Sequence, residues 1–245
     1  MSVDCGWLTA FLDSPPESAA ASETFWSAVT GTRLSARRGD RDEFATLVPR
    51  DGDAFLKVQQ VVQSVPGGLH LDLHTDDVIA FAERAEQLGA TASYLVQGYV
   101  VCGSPGGMTF CVVGYGGRRR PPPQDWPGGR SIVDQVCLDI PPSMYEQECA
   151  FWAELTGWEL EPRKDEFQRL VRPEGMPLAF LLQRLDDEQS TVTAHHDLAC
   201  DDREEETARH QALGADMVRR TESWTVMRDP AGRIYCITVR KPGDV

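Results

Sequence analysis

Two stretches of the sequence, HLDLHTDD (70–77) and HHDLACDD (195–202), set a histidine and an aspartate two residues apart. Read as strands, they alternate faces, so His70, Asp72 and His74 share one face and Leu71 and Leu73 the other. His195 and Asp197 share a face in the same way, with His196 turned away. A carboxylate beside an imidazole can fix its tautomer and raise its basicity, giving a general base that needs no metal. The structural alternative is that Asp72 and Asp197 satisfy backbone donors. Cys111 and Cys236 are possible nucleophiles or ligands, yet neither has a base nearby in sequence, and a buried thiol often packs as a small hydrophobe. GSPGG (103–107) lacks the spacing of a phosphate-binding loop and falls between two strands. No serine stands in a GxSxG context.

These residues belong to an internal duplication. Residues 70–113 align without a gap on 195–238 at an offset of 125, and thirteen of the 44 pairs are identical, among them His70/His195, Asp72/Asp197 and Cys111/Cys236. Residues 11–34 align on 137–160 with nine of 24 identical. Such a repeat governs the whole fold. Each half reads as a short strand, a helix ending at glycine (Gly31), three strands, the histidine-bearing strand, a helix from the Asp76–Asp77 cap to Gly89, and further strands near Tyr99–Cys102 and Met108–Val113. A weakly marked strand lies near 92–96, with Met217–Arg220 its counterpart. The order is βαβββ twice per half, an α+β architecture of four small sheets each carrying a helix. Domain limits of 1–114 and 132–245 follow, joined by a solvated Gly/Pro/Arg linker, 115–131.

The 245 residues carry 24 Lys and Arg against 38 Asp and Glu, a net charge of −14. That balance argues against phosphate-backbone binding and favours cationic ligands over anionic ones. No apolar run approaches the ~20 residues that span a bilayer. The N-terminus has no basic n-region, so a cytoplasmic location is expected. The seven cysteines contain no CxxC pair, so neither a disulfide framework nor a thiolate cage is indicated.

The order of elements and their punctuation resemble the vicinal-oxygen-chelate superfamily of glyoxalases, extradiol dioxygenases, and bleomycin- and fosfomycin-resistance proteins. FWSAVTG (25–31) and FWAELTG (151–157) match the family's helix end. HLDLHTDD and HHDLACDD match its strand-to-helix junction, LGA (88–90 and 213–215) its second helix end, and RDPAGRIYC (228–236) its last turn and strand, with GSPGGMTFC (103–111) a looser twin. The resemblance implies tandem glyoxalase-like domains, each of two βαβββ units forming a cup-shaped sheet. In metal-dependent members the ligands are a His or Gln on the first strand, a Glu before the second unit, a His opening that unit, and a Glu on the last strand.

Carried over, His70 and His195 fill the third position, while Thr9 and Gln135 fall at the first. The carboxylates are missing: AFLKVQQV (54–61) and LAFLLQRL (178–185) hold no acid, and Cys111 and Cys236 replace the last glutamate. No cofactor is therefore expected; a divalent metal, if present, would use His195, Gln135 and Cys236. The leading expectation is a small-molecule-binding protein, monomer or homodimer, whose pocket uses Thr9, Gln135, Trp224, Tyr99, Cys111 and Cys236. Trp7, Phe110 and Tyr235 lie on the same strands, and Trp26 and Trp152 read as core. The alternative is a lyase, isomerase or dioxygenase/hydroxylase-like enzyme using His70/Asp72 or His195/Asp197. A scaffold with vestigial cups is the third reading. The second half, which keeps Gln135 and His195, is the favoured site.

Overall fold

The computed structural model describes residues 4–62, 68–94, 98–114, 116–164 and 166–243. In the first half β1 (Trp7–Ser14) leads into α1 (Pro16–Thr30), followed by β2 (Arg33–Leu34), β3 (Phe44–Val48) and β4 (Leu56–Gln60). Then come β5 (Leu69–His74), α2 (Val78–Gln87), β6 (Thr91–Tyr94), β7 (Val100–Gly103) and β8 (Thr109–Val113). After β9 (Gln124–Trp126) the second half repeats the order. It runs β10 (Gly129–Ile140), α3 (Tyr145–Thr156), β11 (Leu160–Pro162), β12 (Phe167–Leu170) and β13 (Ala179–Arg184), then β14 (Thr193–Cys200), α4 (Arg203–Ala212), β15 (Asp216–Arg220), β16 (Trp224–Arg228) and β17 (Ile234–Thr238). The strand expected near 92–96 is Thr91–Tyr94; residues 95–96 lie outside those described.

Local chemistry explains the helix limits. Pro15 and Pro16 open α1, and Gly31, at φ 64°, closes it in the left-handed region where a side chain is disfavoured. Asp77 accepts from the Ala80 N–H at the start of α2, and Asp202 from the Glu204 and Glu205 N–H groups at the start of α4. The aspartates that follow the histidine strands therefore start the helices.

The α+β architecture and its tandem halves stand as expected, but the strands form two continuous sheets rather than four small ones. The first has the order β2-β3-β4-β1-β5-β8-β7-β6, and the second β11-β12-β13-β10-β14-β17-β16-β15, with β9 paired to β10. β1 and β10 join the two βαβββ units of their halves, and such pairings of distant segments leave no local trace in a sequence. The stretch 115–131 is likewise more than a linker: Gln124–Trp126 pairs with Gly129–Ser131, and Pro121 is buried.

By contact density the chain divides into two compact units. One comprises the residues up to Ala10, Leu69–Arg118 and Val136–Ala194; the other comprises Phe11–Gly68, Arg119–Gln135 and the residues from His195 onward. In the first, Trp152 is fully buried against Phe110, Phe151 and Phe180 at centroid distances of 5.2–5.3 Å. In the second, Trp26 is fully buried against Phe25, Tyr235 and His196. Both tryptophans are core, as expected. Each indole N–H is satisfied by a buried carboxylate: Trp26 donates to Asp229 at 2.8 Å and Trp152 to Glu148 at 2.9 Å.

Candidate functional site

In both halves the histidine strand pairs in parallel with the last strand of its module. The register sets Asp72 opposite Cys111 and Asp197 opposite Cys236. Neighbours on β8 and β17 face the other way. Phe110 packs on Phe151 and Trp152, and Tyr235 packs on Trp26 and gives His210 Nδ1 a 2.8 Å hydrogen-bond contact. Phe110 and Tyr235 therefore belong to the helix-packed face of the sheet, opposite the cysteines, as strand alternation requires. Trp7 is also buried, at 2% exposure.

The second-half site is built from β10, β14 and β17. His195 Nε2 lies 3.5 Å from Asp197 Oδ1 and 3.6 Å from Cys236 Sγ. Gln135 Nε2 donates to Asp197 Oδ2 at 2.6 Å, and Arg240 Nη1 donates to Gln135 Oε1. Arg240 Nη2 in turn donates to Asp134 Oδ1 at 2.6 Å. Asp197 is 3% exposed, and its Oδ1 makes no hydrogen bond among the described residues. Trp224 pairs with Thr238 and Val226 with Cys236, so Trp224 stands on the cysteine's face of the sheet and is half-buried.

The first half holds the corresponding group. Ligating atoms of His70, Asp72 and Cys111 all lie within 4.8 Å of one another, as do those of His195, Asp197 and Cys236. His74 is engaged elsewhere, its Nε2 2.9 Å from Thr9 Oγ1, and both side chains are buried. Tyr99 is half-buried two residues before Val101, the partner of Cys111. Arg240 and Asp134 escaped sequence reasoning. An acid inside the otherwise apolar run SIVDQVCL was the signal for Asp134; Arg240, outside the repeat, left none.

The residues present fit a divalent cation. Tetrahedral zinc, with bonds of about 2.0–2.3 Å, separates its ligand atoms by roughly 3.3–3.6 Å. The histidine-to-carboxylate and histidine-to-thiol spacings of 3.5 and 3.6 Å match that. The set differs from the one named from sequence. Gln135 has its oxygen on Arg240 and its nitrogen on Asp197, so Asp197 would take the third place. A cation there would act as a Lewis acid toward a bound oxygen atom.

The Glyoxalase-like domain profile matches residues 10–113 and again 135–238, and the chain belongs to that family. No curated protein matches it in sequence. Among solved structures, the Mn(II)-bound glyoxalase from Novosphingobium aromaticivorans is similar at 14% identity over 97% of this chain and 83% of that one, with a TM-score of 0.68. A mutant 4-hydroxymandelate synthase from Streptomyces coelicolor is similar at 17% identity over 98% and 94%, TM-score 0.60. The 2,2',3-trihydroxybiphenyl 1,2-dioxygenase from Sphingomonas wittichii is similar at 13% over 97% and 90%, TM-score 0.61. These likenesses establish a shared fold.

Proposed function

We propose that the chain binds a small organic molecule at the second-half site. His195, Asp197 and Cys236, with the cation they fit, engage its polar end, and Trp224 lies against a flat portion. The observation that carries this reading is the convergence of three donors on the sheet face that also bears Trp224. The expectation of a metal-free site rested on two acid-free strands, and Asp197 supplies a carboxylate from a third. The seven cysteines form no disulfide among the described residues, which suits a cytoplasmic protein. No helix among the described residues is long and apolar enough to cross a membrane.

The relatives include an enzyme named for a hydroxylated biphenyl, which makes catechol a rational probe. Titration of the full chain with catechol should quench tryptophan fluorescence and raise the melting temperature. Trp224→Ala should weaken binding about tenfold, or ~1.4 kcal/mol. No quenching by catechol or by other flat diols would sink the proposal. The enzyme reading draws on His195, whose imidazole stands beside a buried carboxylate. Under it, His195→Ala abolishes turnover of a bound ligand with the fold intact; under simple binding, it costs affinity alone.

A further inference from the structure

We infer that the chain binds two borderline-soft divalent cations of the zinc type, one in each half, each through a histidine, an aspartate and a cysteinate. This deepens the reading of the second-half site and adds a first-half site of the same chemistry. It stands apart from the identity of any organic ligand.

Three observations carry it. All three donors recur at the same offset, as His70/His195, Asp72/Asp197 and Cys111/Cys236, within a repeat where most positions have diverged. The parallel register reproduces the geometry, setting the aspartate opposite the cysteine in each half. In the second half, carboxylate and thiol both approach the same ring nitrogen, Nε2. A Cys–His–Asp relay uses the two ring nitrogens separately, one toward the nucleophile and one toward the acid. Donors that meet at one nitrogen instead surround a common point. Asp197 adds a further sign: a buried carboxylate oxygen, Oδ1, makes no hydrogen bond among the described residues, while Oδ2 is held by Gln135. A cation at the common point satisfies that oxygen.

The donor set also selects the ion. Carboxylate and water suit manganese and magnesium, whereas thiolate beside imidazole favours zinc, cobalt and copper(I). The glyoxalase with the same fold is Mn(II)-bound, but this chain offers a sulfur in each cluster. On binding, each cysteine S–H loses its proton to solvent and the sulfur lone pair forms the bond to the metal; no electron is transferred.

The test uses the full metal-stripped chain and cobalt(II) alone. Two equivalents should bind, with a thiolate-to-cobalt charge-transfer band in the near ultraviolet growing to the second equivalent. Cys236→Ser and Cys111→Ser should each halve the band, and the double variant should abolish it. Zinc should displace the cobalt stoichiometrically, and a tenfold excess of manganese should not. Circular dichroism checks each fold; if a serine variant fails to fold, Asp197→Asn and Asp72→Asn are used and should weaken binding at least tenfold. Cobalt bound without the band, a band that survives the double variant, or displacement by manganese would each overturn the inference. A single equivalent would overturn the first-half site. Catechol binding is measured separately, so it can fail while both cations bind, or succeed while neither does.

Discussion

The Gln135 amide is clamped at both ends: its nitrogen donates to Asp197 Oδ2 at 2.6 Å, and its oxygen accepts from Arg240. Arg240 also holds Asp134, whose side chain is 4% exposed, and so ties the segment after β17 to β10. The direction in which Asp197 points is therefore set two residues removed from the histidine cluster.

Replacing Gln135 by leucine keeps the volume and removes both bonds. Leaving Asp197 Oδ2 without its donor should cost about 1–3 kcal/mol of stability. Urea unfolding of the two proteins measures it. Arg240→Met should also destabilise the chain, because it removes a charge-assisted hydrogen bond from the buried Asp134 carboxylate. A variant as stable as the parent would show that the clamp is not under tension from burial.

Acid should weaken the second unit through His196. This side chain is fully buried, and neither ring nitrogen has a hydrogen-bond partner among the described residues. Burial, then the Arg233 guanidinium and His195, hold its pKa well below the ordinary value, and the Trp26 ring covers it. His210 is depressed too, by burial, with Glu206 opposing and Arg209 adding to the shift. An unfolded histidine titrates near ~6.5. Below that pH the unfolded chain takes up protons that the folded chain refuses, so stability is intact above pH ~6.5 and falls as acid is added. Calorimetry should show the melting temperature dropping between pH ~6.5 and ~5. His196→Leu should flatten that slope, and identical slopes would refute the assignment.

Gly106→Ala should destabilise the first unit by about 1–3 kcal/mol through overpacking. A Cβ at this position would lie 2.5 Å from Val192 Cγ2 and 3.0 Å from Glu148 Oε1. It would press on the backbone hydrogen bond that Gly106 gives to Glu148, the carboxylate that also receives the Trp152 indole. Gly175, where nothing lies within 4 Å, has a φ of +82° and isolates the backbone part of the effect. Thermal denaturation of both alanine variants separates steric crowding from backbone strain.

The duplication, the element order and the helix caps at Asp77 and Asp202 were legible because they are written in neighbouring residues. So was the face shared by His195 and Asp197. The cluster itself was not legible, because the approach of Cys236 depends on a parallel register between segments about forty residues apart. The face of Tyr235 and Phe110 is legible as well: each immediately precedes its cysteine, so strand alternation sends it to the opposite face. The sequence marks Gln135 as a ligand candidate, but its role as a prop for Asp197 depends on Arg240, which arrives from beyond the repeat.

The repeat and the compact units divide the polypeptide differently, since each unit takes chain from both halves. A nick between the repeats would consequently not liberate two self-sufficient pieces. It would leave complementing fragments, each carrying half of both cores, that can regain their structure only by finding one another.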